Sequence, residues 1–212
     1  MKFREQSRLV LFVWATLVIA AIAALVLGRW SAAFVAIVTL TLTFLPMAFE
    51  SRFNIKLPAE FGAAIVLFLF ATLFLGEVGD FYNKYWWWDV VLHTGSAIGF
   101  GLMGFILIFM MFEGDRYAAP PIAIALFSFT FGVSIGALWE IFEFFMDQSF
   151  GLNMQKSGLL DTMWDLIVNT IGAALGATAG FFYLKRRHFG WLSYLIDKFV
   201  KANQRLFRKR NR

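Results

Sequence analysis

The sequence predicts an all-α, polytopic membrane helix bundle with about six transmembrane helices and both termini in the cytoplasm. Three observations carry that class. The 212 residues are 60% hydrophobic and 16% charged, with a mean hydropathy of +0.69, whereas a soluble domain carries roughly 25% charge. Apolar runs of about bilayer length recur six times, about 20 residues being enough to cross the hydrocarbon core. Basic residues gather on one side of those runs. No cysteine occurs, which excludes disulfides, thiolate metal sites and cysteine nucleophiles.

The runs cover residues 9–28, 32–49, 61–76, 90–112, 121–145 and 163–184. The first lacks a small-residue cleavage site and reads as a retained helix, not a signal peptide. The second and third are the shortest, which leaves a merged or re-entrant arrangement open. The connections, GRWS, ESRFNIKLPAE, GEVGDFYNKYWWWD, EGDRYAAP and DQSFGLNMQKSGLLDT, include no Pro/Ser linker and no repeat. Residues 1–184 therefore read as one six-helix transmembrane domain, and residues 185–212 as a basic amphipathic cytoplasmic tail.

Six spans place both termini on one side. That side holds Lys2, Arg4, Arg8, Arg52, Lys56, Arg116 and the ten bases from Lys185 onward, 16 in all; the other holds only Arg29, Lys84 and Lys156. By the positive-inside rule the basic side is the cytoplasm.

The orientation gives meaning to the stretch GALWEIFEFFMDQ, residues 136–148. Eight of the 14 acidic residues fall at the outer ends of four spans: Glu77, Asp80, Asp89, Glu140, Glu143, Asp147, Asp161 and Asp165. Asp89 and His93 are four apart, as are Asp161, Asp165 and Asn169; Glu140, Glu143 and Asp147 step by three and four. Such spacings align side chains on single helical faces. The stripes continue inward as small residues, Ala97 and Gly101, Gly132 and Gly136, and Ala173, Gly176 and Gly180, of the kind that let membrane helices approach closely. At a rise of 1.5 Å per residue, Glu140 lies about 10 Å deeper than Asp147. A polar funnel opening outward is expected.

Clustered carboxylates repel unless some are protonated or a cation sits among them. Oxygen ligands suit hard divalent ions, and one histidine widens the choice to Mn, Fe or Zn. The expected ligands are Asp89, His93, Glu140, Glu143, Asp161 and Asp165, with Asn169 alongside, and Glu140 or Glu143 is the candidate base. Blander readings stand beside this one. Asp147 and Asp161 also suit headgroup water, Asp161 also suits a helix N-cap, and Glu77 and Asp80 read as loop residues. Glu140, Asp165 and His93 are set inside their spans, where an ionisable group is costly and marks function by default.

Other features mislead more easily. GFGLMG, residues 99–104, satisfies G-x-G-x-x-G, yet it lies inside a span with no preceding strand, so helix packing explains it and a dinucleotide does not. Trp86, Trp87 and Trp88 match an interfacial aromatic belt. In the tail, Leu192, Leu195, Ile196 and Phe199 recur at helical spacing, flanked by Lys198, Lys201 and Arg205. That pattern predicts an amphipathic helix in the inner-leaflet interface bound to anionic lipid, with His188 interfacial; the apolar stripe argues against nucleic acid.

LGEVGDFY, WDVVLHTGSAIGFG, GALWEIFEFFMD and LLDTMWDLIVNTIGAALG together resemble the YjdF-like family of bacterial inner-membrane proteins, in order, over about residues 50–180. A more distant similarity is to VanZ-like proteins, with their Asp-x-x-x-His helix, Glu-bearing helix and Asp-x-x-x-Asp-x-x-x-Asn followed by glycine. The resemblance implies a multi-pass protein of the bacterial inner membrane and, for VanZ-like members, a link to glycopeptide resistance and the cell envelope. It implies no reaction.

Two functions compete. A metal-dependent protein acting on an envelope lipid or lipid-linked phosphate fits the acidic funnel but lacks an evident Arg or Lys to clamp phosphate. A proton- or cation-coupled transporter fits the intramembrane acids, but the inner halves of the spans, FILIFMM, FSFTFG and GATAGFF, are nearly devoid of polar groups. A structural or partner-binding protein, with the acids as a divalent-ion staple, stays open.

Overall fold

The structure, a computed structural model, describes residues 7–112, 114–116, 118–187 and 189–207. Lys2, Arg4, His188 and the bases from 208 to 212 lie outside the described residues. All regular structure among those described is helical, and six helices are long and apolar enough to cross a membrane: Arg8–Val26, Trp30–Phe53, Ala59–Val78, Trp87–Met111, Pro121–Phe150 and Leu159–Leu184. The second and third spans are thus full-length. Large apolar side chains such as Phe12, Ile19, Ile22 and Val26 stay exposed, as helices solvated by lipid require.

The chain divides into two compact units, Met1–Trp88 and Asp89–Arg212. In the first, α1 (Arg8–Val26) starts where the Ser7 hydroxyl accepts the Val10 amide, satisfying an N-terminal donor. Val10, Val13, Trp14 and Leu17 of α1 form a buried core with Val66, flanked by Leu40, Met47 and Phe70. The second span is two helices, α2 (Trp30–Leu42) and α3 (Leu45–Phe53). Pro46 sits in the first turn of α3, and its missing amide hydrogen cannot continue the α2 ladder. The Thr43 hydroxyl occupies the break, donating to the Leu40 carbonyl and accepting the Trp14 indole N–H at 2.9 Å. The third span runs as α4 (Ala59–Leu69) and then nine residues of π-helix, Phe70–Val78. Glu77 ends that segment exposed, and Asp80 follows in the left-handed region at φ 59°, accepting the Asn83 side-chain amide. Glu77 thus belongs to the last turn of the span and not to a loop as expected, whereas Asp80 lies beyond it. A short helix, α5 (Phe81–Lys84), follows.

The second unit is built on α6 (Trp87–Met111), α7 (Pro121–Phe150) and α8 (Leu159–Leu184). The helices extend further at their acidic ends than the apolar runs do, so Asp89, Asp147 and Asp161 stand on regular helix together with Glu140, Glu143 and Asp165. One face of α8 is buried along its whole length, through Asp165, Asn169, Gly172, Gly176 and Gly180. Backbones approach closely here: a Cβ on Gly172 would lie 2.5 Å from the Thr94 carbonyl oxygen, so the position admits no side chain. Ser128 of α7 adds a buried bond to the Gly101 carbonyl at 2.6 Å.

At the far end of this unit, Arg116 donates to the Tyr183 and Leu184 carbonyls and lies 4.3 Å from the Tyr183 ring centroid. It thereby supplies α8 with the donors its C-terminus lacks. The tail forms α9 (Gly190–Ala202). Its apolar stripe does not face lipid. Leu195, Ile196 and Phe199 are buried within the protein, the Ser193 hydroxyl donates to the Ala179 carbonyl, and the Phe207 ring packs tilted against Phe109 and edge-on to Phe199. The stripe is used for docking on the bundle, the opposite face of α9 presents Trp191, Tyr194 and Lys201, and Arg205 is exposed in the short turn that follows.

Candidate functional site

The polar end of the second unit gathers side chains from the start of α6, the end of α7 and the start of α8. One ligand atom from each of Asp89, His93 and Asp165 lies within 4.8 Å of the other two. Nitrogen and oxygen ligands 2.0–2.2 Å from an ion stand about 3.3 Å apart, so small side-chain rotations close the set. The His93 ring lies between two carboxylates: Nε2 faces Asp89 Oδ1 at 3.5 Å, and Nδ1 faces Glu140 Oε1 at 3.7 Å. Asn169 Nδ2 stands 3.3 Å from the same Nδ1. Gly136 makes room for that amide, since a Cβ there would fall 2.8 Å from Asn169 Nδ2.

Burial is the telling property. Glu140 and Asp165 are 4% and 3% exposed. Both oxygens of Glu140 and Oδ2 of Asp165 have no hydrogen-bond partner among the described residues. Buried polar atoms are normally paired, and an orphaned one calls for an explanation such as an ion. With charge in play the penalty is several kcal/mol per group. A divalent cation held by Asp89, His93 and Asp165 relieves the repulsion and gives Asp165 its missing partner, so the donor set fits such an ion.

The other expected residues take different parts. Glu143 is buried, with Oε1 accepting the Trp139 indole N–H at 2.9 Å; Trp139 escaped the sequence reading, although its place four residues before Glu143 on one helix is the signal. Asp161 is half-buried in the first turn of α8. It is not the N-cap: Gly158 occupies that position, with no side-chain cap. Asp147 accepts the Met154 and Gln155 amides at 2.7 and 2.9 Å, and Gln155 donates to the Thr162 hydroxyl at 2.6 Å. Asp147 therefore fastens the α7–α8 connection and does not float in headgroup water. That connection carries Lys156, which lies within electrostatic range of Asp89 and Asp161. A cation does stand at the mouth, then, brought there by a loop whose path the sequence does not reveal.

Comparison with known proteins adds family and no reaction. An uncharacterised protein of Thermotoga maritima is 28% identical over 129 residues, 61% of this chain and 66% of that protein. The match thus falls just short of two thirds of the relative's length. No solved structure matches. Residues 6–186 match the family described as "Predicted membrane protein (DUF2238)", and the helical architecture, the membrane-length spans and that match together make the chain a member of it.

Proposed function

We propose that this protein is a bacterial inner-membrane protein that binds a divalent cation at Asp89, His93 and Asp165 and acts there on the phosphate of an envelope lipid. The observation that carries the reading is the convergence of these three ligand groups, one of them the buried Asp165 with its unpartnered oxygen, beside the buried Glu140. The asymmetry of 16 bases against three supports a polar end facing outward, and the VanZ-like motifs support an envelope role. A bound divalent ion would supply charge neutralisation and a Lewis-acid position for a phosphate oxygen. Lys156 adds positive charge at the mouth, and Glu143, whose Oε1 is held by Trp139, is the carboxylate oriented to take a proton.

The tail belongs to the same proposal. With its apolar stripe spent on the bundle, the exposed face of α9 joins Trp191 and Tyr194 to Lys201, with Arg205 exposed just after the helix and Lys185, Arg186 and Arg187 exposed just before it. Aromatic rings and bases on one face suit anionic headgroups.

The test is turnover in proteoliposomes carrying phosphatidic acid or a polyprenyl diphosphate. Phosphate release that needs added divalent metal and disappears in Asp165→Asn supports the reading. Cation flux without phosphate release in the same vesicles rejects it in favour of a transporter.

A further inference from the structure

Glu140 is the group the cation set leaves unexplained. Its carboxylate is buried with no hydrogen bond of normal length to either oxygen; the Thr162 hydroxyl is a neighbouring side-chain donor, and the His93 Nδ1 atom stands 3.7 Å away. Across the ring, Nε2 faces Asp89. A neutral imidazole carries one N–H, so the two carboxylates compete for a single proton.

Access to water decides the competition. The Asp89 side chain is 29% exposed and that of Glu140 only 4%. Water can hydrogen-bond Asp89 in place of the imidazole, whereas Glu140, shut off from water, has the Thr162 hydroxyl beside it for only one of its oxygens. Leaving the buried acid unmet is the costlier arrangement. We propose that Glu140 is a positioning residue, which holds the His93 proton on Nδ1 and thereby presents the Nε2 lone pair to the cation position shared with Asp89. Glu140 is then neither a ligand nor the base. A carboxylate behind a metal-bound histidine fixes its tautomer and raises its basicity in this way.

Asn169 makes the alternative concrete. Its amide can present either the oxygen or the NH₂ to the imidazole. With the proton on Nδ1, the amide turns its oxygen to that N–H. With its NH₂ toward Nδ1 across the 3.3 Å contact, the proton moves to Nε2 and points at Asp89, leaving Glu140 without the imidazole as a donor. The two networks differ in one observable, the nitrogen that bears hydrogen.

This inference rests on the cation reading, and its test separates the two. His188→Gln leaves His93 as the single imidazole for ¹⁵N NMR of the full-length protein in nanodiscs. In chelator-treated protein Nδ1 should be protonated. With Zn²⁺ added, Nε2 should shift as the ligating atom while Nδ1 keeps its hydrogen. Glu140→Leu should lower the Nδ1–H population and weaken Zn²⁺ binding by about 10–100-fold, and Glu140→Gln, which retains an acceptor, should recover most of both. A bare Nδ1 in the chelated protein, or ligation through Nδ1, overturns the proposal. If the wild-type protein binds no Zn²⁺, the cation reading fails, and the chelated spectrum still decides the tautomer.

Discussion

At the scale of single residues, the acidic end separates into parts with distinct chemistry. Asp89, His93 and Asp165 converge, while Asp147 binds loop amides and Glu143 binds an indole. Trp139→Phe removes the indole hydrogen bond to the buried Glu143 carboxylate, an effect worth about 1–3 kcal/mol. Thermal unfolding in detergent should show it as a lowered Tm, with the helical spectrum unchanged at low temperature. Asp147→Asn exchanges two charge-assisted bonds for weaker ones. Faster amide exchange confined to residues 151–158 is the expected outcome, and unchanged exchange there would show that the carboxylate does not secure the loop. The sequence made these acids visible as a group through their three- and four-residue spacing. It could not sort them, because sorting depends on a loop path and on which oxygens find donors.

At the scale of elements, close packing of α6 on α8 sets the ligands at one depth. Gly172 faces the Thr94 carbonyl, whereas a Cβ on Gly99 of α6 would meet nothing within 4 Å. Gly172→Leu should therefore cost about 1–3 kcal/mol through overpacking, and Gly99→Ala should cost little; a comparable loss in both would deny the seam its role. The small-residue stripes announced this packing in the sequence. The tail was legible only in part. Its helical period was plain, but a stripe of Leu195, Ile196 and Phe199 suits lipid and protein equally well, and only the docked Phe207 and Ser193 show that protein takes it. Lys201 stays charged on the other face, its ammonium held above the usual lysine range by a hydrogen bond from Nζ to Asp197. Replacing Lys198, Lys201 and Arg205 with Glu should reduce phosphatidylglycerol retention, each lost base contributing about 1 kcal/mol. Native mass spectrometry at low and high salt reads this, because screening should shrink the difference.

At the scale of the whole molecule, the account joins a charge asymmetry to a site. Six spans and their order were legible because hydrocarbon demands long apolar runs. The breaks at Pro46 and in the π-helical stretch were not, since both lie inside continuous hydrophobicity. The division into two units also escaped the sequence, as its boundary falls in the first turn of α6 with no linker composition to mark it. Orientation is open to direct test because the chain has no cysteine. A cysteine at position 156 should react with an impermeant maleimide added to intact cells, and one at position 201 should react only after lysis. The reverse pattern would place the acidic end in the cytoplasm and remove the envelope from the proposal. The central claim is that the convergent acids hold a divalent ion, and metal content measures it most directly. Elemental analysis of protein purified without chelator should give close to one divalent ion per chain in the wild type and less than a tenth of that in His93→Ala and Asp165→Asn. Equal metal content in all three would contradict the account.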